Sequence, residues 1–255
     1  MRFPLFLFFF LVLTHFSLAQ YTEVYRSGRP GLFYGPYSIG TGILALESGF
    51  GYQAFPNSRE GLTFYPQLVR IGLSEALEIR TFLTLSSPGF GELNLPSEQS
   101  LALTDIGFRY RFSENKGTLP AIALEMIWAT PWVSEGFRPR FVRPYFFIST
   151  DYRISSTRNL VGNFGLDFNN FAWQGFGVFR LALVNAFTDD LAGFVEFAGT
   201  QGEIANTFQV NGGFTYMLSK DIQADLSGGY GNFGPAPFYY FEAGLSFRFP
   251  PMISR

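Results

Sequence analysis

There is no cysteine in this chain of 255 residues, and its one histidine, His15, falls near the N-terminus. The missing cysteine excludes disulfides, thiolate metal sites, cysteine nucleophiles and the acylated cysteine of a lipoprotein. Neither sign of charge dominates: 18 Lys and Arg stand against 20 Asp and Glu, which leaves no basic surface for nucleic acid. After the N-terminal stretch no apolar run approaches the roughly 20 residues that a membrane-crossing helix needs. Yet 47% of the chain is hydrophobic and 19% is Phe, Trp or Tyr. That combination, without a helical span, suits a transmembrane β-barrel, whose membrane signal is spread over alternate positions.

The N-terminus reads as a cleavable secretion signal over residues 1–19. Arg2 supplies the positive end, Phe3–Leu13 the apolar core and Ser17-Leu18-Ala19 a small-x-small cleavage site. The apolar core is too short for an anchor that crosses a bilayer. His15 leaves with the signal, so the exported chain is expected to have no histidine. Residues 20–38 are rich in glycine and proline and lack steady alternation. They are expected to form a periplasmic N-terminal arm, which either folds into the barrel mouth or leads in to the first strand. Residues 39–249 are assigned to the barrel and 250–255 to a C-terminal tail.

Alternation is clearest near the C-terminus. Phe208, Val210, Phe214, Tyr216 and Leu218 interleave with Gln209, Asn211, Thr215 and Met217; Phe241, Leu245, Phe247 and Phe249 interleave with Glu242, Ser246 and Arg248. Successive strand residues face opposite sides, so each segment has one apolar and one polar face. Carried along the chain, the pattern predicts an all-β fold: an up-and-down antiparallel barrel of about twelve strands, from Ile39–Gln53 to Phe238–Phe249. Ser74-Glu75-Ala76-Leu77, Ser156-Thr157-Arg158-Asn159-Leu160, Thr188-Asp189-Asp190-Leu191 and Ser219-Lys220-Asp221-Ile222 share one hydroxyl-bearing pattern, and Ser113 to Thr118 is a fifth short connection. Small polar residues close tight turns by bonding nearby backbone groups. All five follow even-numbered strands and are expected on one periplasmic rim, opposite longer loops such as Ser87–Ser100 and Pro131–Phe141. Aromatics sort the same way, with Tyr52, Trp128, Phe168, Trp173 and Tyr230 toward the outer ends and Tyr110, Phe112, Tyr152, Tyr216 and Phe249 toward the inner ends.

The polar face carries the candidate chemistry. Glu47, Glu125, Glu196 and Glu242 around Arg180 fall near mid-strand and form a candidate selectivity zone. Arg70, Glu78, Arg80, Asp105, Arg109, Arg111, Arg143, Asp151, Arg153, Asp167, Asp225 and Arg248 form a candidate ladder of ion pairs in the lumen. Every inward base is arginine, whose planar fork suits carboxylates on neighbouring strands. Glu47 and Glu242 lie on the first and last strands, which meet when the barrel closes. Two carboxylates there repel unless a cation, a solute or a nearby arginine intervenes. Arg180 and Glu196 could pair diagonally. Phe82, Ile127, Phe147, Phe176, Val178 and Phe194 also face inward, either as a lining for aromatic or amphiphilic solutes or as packing.

Gly229-Tyr230-Gly231-Asn232-Phe233-Gly234 fits G-x-G-x-x-G, but no helix follows to receive a phosphate. The usual hydrolytic chemistry of such barrels needs a histidine as general base, which the exported chain lacks, and its carboxylates have arginine neighbours that would keep them ionised and weakly basic. No enzyme, cofactor or metal site is expected. The expected partners are outer-membrane lipid, the barrel assembly machinery and a small-molecule solute.

Short motifs run in order through nearly the whole exported chain. They are Arg29-Pro30, Leu46-Glu47-Ser48-Gly49-Phe50, Arg70-Ile71-Gly72-Leu73 with Leu77-Glu78-Ile79-Arg80, Asp105-Ile106-Gly107, Asn163-Phe164-Gly165, Val195-Glu196-Phe197, Gln223-Ala224-Asp225 and Gly244-Leu245-Ser246-Phe247-Arg248-Phe249. In these the chain resembles the outer-membrane transporter family assigned to the meta-pathway of phenol degradation, with Arg109 where that pattern has lysine. The resemblance implies an outer-membrane barrel that passes small solutes and brings no catalytic residues. The competing expectation is a structural or adhesive barrel with a plugged lumen.

Overall fold

A computed structural model describes residues 24–56, 61–87, 100–130, 142–168, 175–202 and 206–249. Residues 1–23, which include the expected signal, the tail 250–255, Trp173 and the body of the two long loops at 88–99 and 131–141 lie outside the described residues. Twelve strands close into one barrel: β1 (Leu44–Ala54), β2 (Leu62–Gly72), β3 (Leu77–Ser87), β4 (Ser100–Ser113), β5 (Ala121–Ala129), β6 (Arg143–Arg153), β7 (Arg158–Phe168), β8 (Gly175–Ala186), β9 (Leu191–Gln201), β10 (Thr207–Ser219), β11 (Ile222–Phe233) and β12 (Ala236–Phe249). Each pairs antiparallel with its sequence neighbours, and β1 closes on β12 in unbroken register from Leu44↔Phe249 to Ala54↔Tyr239.

The alternation in the sequence becomes the two faces of the wall. Phe50, Tyr52, Ile148, Phe164, Val195, Phe214, Leu226, Phe241 and Leu245 are exposed on the outside, while Glu47, Arg70, Arg80, Arg109, Glu125, Asn163 and Glu196 are buried on the inside. This is a globular protein turned outside-in, the arrangement that lipid demands of a barrel. The closed ladder also leaves no strand edge with unpaired backbone groups.

Turns after even-numbered strands all fall on one rim. Ser74 Oγ accepts the N–H groups of Ala76 and Leu77 at 3.2 and 3.0 Å, and Thr188 Oγ1 accepts those of Asp190 and Leu191 at 3.3 and 3.0 Å. Ser219 Oγ accepts from Asp221, and Ser155 Oγ from Thr157. At the opposite rim the glycine-rich motif is the end of β11 followed by the turn into β12, with Gly234 at φ 57°.

The first strand starts later than alternation suggests, at Leu44 rather than Ile39. Gly40 and Gly42 adopt φ 96° and 72°, a left-handed backbone that interrupts extended structure. Gly42 N–H donates to Gly72 O at 2.9 Å, and Gly72 N–H returns to Ile43 O. Residues before this junction leave the wall and turn inward.

The face assignment has a direct test. Leu226→Arg places a charge on the outer face, at an expected cost of about 2–4 kcal/mol near the bilayer midplane. Thr84→Arg, whose side chain points into the lumen beside an internal cavity, should lose far less folded barrel. Heat-modifiable gel mobility after refolding into vesicles measures both; equal losses would mean the two faces are misassigned.

Candidate functional site

The lumen holds two structures, a network of ionised side chains on the wall and the N-terminal arm that lies against it. The network begins with strand register. Glu78 faces Arg109, and Arg109 faces Glu125, across β3, β4 and β5. Arg70 and Arg80 face each other across β2 and β3, which would be repulsive without carboxylates on both sides. Glu78 accepts Arg70 Nε at 3.1 Å and Nη2 at 2.9 Å, and Arg70 Nη1 reaches Glu47 at 3.1 Å. Glu125 is shared by Arg80 and by Arg109, whose Nε and Nη2 lie 3.1 and 2.6 Å away. Glu47, Arg70, Glu78, Arg109, Glu125 and Arg80 thus form one alternating chain across five strands. All six are essentially inaccessible to solvent. Burying charge is costly, and only this degree of pairing and hydrogen bonding offsets it.

The remaining ladder candidates stand apart from that chain. Arg143 lies 3.6 Å from Asp167 and over the Tyr145 ring, in the half of the lumen away from the turn rim, beside buried Asp105. At the turn rim Arg111 pairs with Glu114, and Arg248 with Asp221. Asp151 accepts from Asn159 and from the Tyr37 hydroxyl, and Arg153 is exposed. Asp225 is bound by a residue of the arm.

That arm, residues 24–43, threads the lumen. Tyr25 N–H donates to Lys220 O at the turn rim, and the Tyr25 hydroxyl donates to Glu47 Oε1 at 2.7 Å. Burial, and then the Glu47 carboxylate, push this phenol well above its ordinary range, so it stays a donor. Gly28 N–H lies 3.0 Å from both Glu47 oxygens. Leu32 N–H donates to Glu196 Oε2 at 2.9 Å, Tyr34 N–H to Asn163 Oδ1 at 2.7 Å and Ile39 N–H to Glu78 Oε2 at 3.1 Å. In the other direction Arg70 donates to the carbonyls of Arg26 and Tyr37, Asn163 to that of Tyr34, and Arg180 to that of Leu32. The Tyr34 ring lies among three guanidinium groups, 4.8 Å from Arg80, 5.2 Å from Arg180 and 5.9 Å from Arg109, where its face attracts cations.

Four of the five selectivity candidates therefore meet the arm. Glu47 holds Tyr25 and Gly28, Glu196 and Arg180 hold the N–H and C=O of Leu32, and Glu242 accepts from Arg29; Glu125 stays within the wall network. Arg180 and Glu196 reach this common residue rather than forming an ion pair of their own. Along the seam Glu47 faces Ser246 and Glu242 faces Gly51, so the Arg29 guanidinium lies between the two acids. Tyr25, Gly28, Arg29, Leu32, Tyr34, Tyr37, Asn163 and Asn211 were not among the sequence candidates. One signal could have pointed to Arg29: within their strands, Asp225 and Glu242 have no arginine closer than Arg248 near the rim, so a cation had to come from elsewhere.

The inward apolar residues divide the lumen. Ile127, Tyr145, Phe147 and Val178, with Phe82 and Phe176 against them, fill the half away from the turn rim on the β5–β8 side. Opposite, a cavity of about 270 Å³ remains beside the arm, bordered by Arg29, Tyr34, Glu47, Phe64, Leu68, Phe82 and Glu242.

No family model and no curated protein matches the chain. Solved structures do. An outer membrane channel from Pseudomonas putida F1 is similar with a TM-score of 0.65 at 12% identity, over 87% of this chain and 99% of that one. The KdgM porin in complex with disordered oligogalacturonate gives 0.59 at 10% identity, over 81% and 99%. The NanC porin gives 0.57 at 10% identity, over 79% and 98%. These likenesses establish the fold, a barrel shared with outer-membrane channels and porins.

The contacts of Glu47 generate a prediction. Glu47→Gln removes the charge that holds Tyr25, Gly28 and Arg70 together, and breaking a buried pair of this kind costs about 3–5 kcal/mol. Much of that loss should fall on the arm. Trypsin cleavage after the exposed Arg26 (Arg29 is protected by Pro30) should run at least about tenfold faster than in the parent, by the usual conversion of 1.4 kcal/mol to tenfold. An unchanged cleavage rate would show that Glu47 does not hold the arm.

Proposed function

We propose that the chain forms an outer-membrane channel for the passive passage of small solutes, with the arm narrowing the lumen at mid-height. The observation that carries this reading is the cavity beside the arm: a closed barrel with a lipid-facing outside keeps a charged, partly aromatic space in its interior. Its lining suits small neutral or cationic solutes with an apolar body, because Phe64, Leu68 and Phe82 supply apolar surface next to Glu47 and Glu242. The resemblance to the phenol meta-pathway transporters supports aromatic or amphiphilic solutes. In the wall network and the groups that hold the arm, Glu47, Glu78, Glu125, Glu196, Asp225 and Glu242 outnumber Arg29, Arg70, Arg80, Arg109 and Arg180 by one, a slight acidic balance.

A second reading, a structural barrel with a plugged lumen, is favoured by the number of bonds between arm and wall. Reconstitution separates the two. The protein in planar bilayers is expected to give small conductances with a modest cation preference under a salt gradient. Glu47→Gln/Glu242→Gln should raise the conductance and shift the reversal potential toward anions. A wild-type protein that carries no ionic current and passes no phenol-sized solute into vesicles would leave the structural reading in its place.

A further inference from the structure

Arg29 rests in a seat whose shape is specific for a guanidinium group. Gly49 on β1 and Gly244 on β12 face each other across the closing seam, and both point inward. A Cβ on Gly49 would lie 2.4 Å from Arg29 Nη1, and one on Gly244 would lie 2.4 Å from Nε. The planar group therefore lies flat on bare backbone that any other residue would obstruct. Its edge is read by acids: Nε and Nη2 donate to the two oxygens of Asp225 at 3.3 and 3.1 Å, and Nη1 donates to Glu242. A fork on one carboxylate and a third donor on another match a guanidinium or amidinium and not an ammonium, which lacks the plane.

This seat is not sealed. The side chains of Arg29 and Glu242 keep 11% and 14% of their surface, and both border the 270 Å³ cavity with Tyr34, Phe64, Leu68 and Phe82. One cation facing two carboxylates also leaves the seat acidic. It belongs to the arm, a segment outside the β-ladder, and not to the barrel wall.

We infer that the β1–β12 seam carries a binding site for guanidinium or amidinium solutes with a small apolar body, and that Arg29 is its resting occupant. A solute of this class puts its charged plane on Gly49 and Gly244, its donors on Asp225 and Glu242, and its ring in the cavity. The arm's guanidinium yields the seat to it. Such a solute competes with a tethered group whose effective concentration is on the order of millimolar. Its ring gives it an advantage over a bare guanidinium, worth at least about tenfold for the apolar surface buried. The inference rests on the channel reading only for its physiological meaning; the seat itself is a matter of binding.

The test is therefore calorimetric titration of the full exported chain in detergent, with benzylguanidinium as probe. Wild type should bind it saturably in the millimolar range, with methylguanidinium at least about tenfold weaker. Arg29→Gly removes the tethered competitor and should tighten benzylguanidinium binding at least about tenfold. Benzyltrimethylammonium, which has the ring and the charge but no planar donors, should bind neither protein comparably. Adding Asp225→Asn to Arg29→Gly should abolish the gain, with heat-modifiable mobility confirming a folded barrel. If that variant does not fold, the comparison of wild type with Arg29→Gly decides alone. Equal affinity in those two proteins, equal affinity for the trimethylammonium probe, or binding to Arg29→Gly with none to wild type would each overturn the inference. Binding in a protein that conducts nothing would leave the seat standing and remove the channel reading; conduction without binding would do the reverse.

Discussion

Charge turned inward must be neutralised inward, and most of this structure follows from that constraint. Lipid fixes the outer face as apolar, so the charged side chains of the wall, apart from exposed ones at the rim such as Arg153 and Arg158, point into a narrow lumen of low dielectric. There an unpaired charge costs several kcal/mol. Glu47, Arg70, Glu78, Arg109, Glu125 and Arg80 solve the problem among themselves over β1–β5. Asp225, Glu242 and Glu196 on β9–β12 do not, and the arm supplies what they lack: a guanidinium for the first two and a backbone N–H for the third. The arm is thus less a stopper placed in a finished pore than the missing part of its electrostatics.

This also explains how much could be read from the sequence. The barrel was legible because both of its determinants are written in side-chain type. Period-two alternation set the faces, and hydroxyls such as Ser74 and Thr188 marked the turns. The wall network was partly legible, since carboxylates and arginines at inward positions of adjacent strands must meet. The arm's path was not. Four of its contacts with the wall are made by the backbone N–H groups of Gly28, Leu32, Tyr34 and Ile39, and a backbone donor leaves no mark on the residue that carries it. Its start at the barrel was misplaced for a related reason: Ile39 to Ile43 reads as sequence compatible with a strand running into Leu44, and the left-handed Gly40 and Gly42 divert the chain there.

The division of the wall has a consequence for the lumen. On β5, β6 and β8 the inward side chains Ile127, Tyr145, Phe147, Phe176 and Val178, away from the turn rim, are large and apolar, and they pack on one another. On β1, β10, β11 and β12 many inward positions are small: Gly49, Gly51, Gly213, Ser227, Gly229 and Gly244. Side-chain volume is thus concentrated on one flank, and the space it leaves on the other is taken by the arm and the cavity. The cavity beside the arm is therefore eccentric, bordered by β12, β1, β2 and β3.

That seam is also where the arm ties the barrel together. The arm leads directly into β1, yet Arg29 bonds β11 and β12, while Gly28 beside it bonds β1 through Glu47. Two consecutive residues thus bridge both sides of the closing strand pair. The seat under Arg29 exists only when Gly49 and Gly244 are in register, because neither strand alone forms its floor. Closure of the barrel creates the site that holds the arm, and the docked arm adds ion pairs that favour the closed register. The two steps are thermodynamically linked, so a ligand that takes the seat in place of Arg29 replaces one clasp at the seam with another and leaves the wall closed.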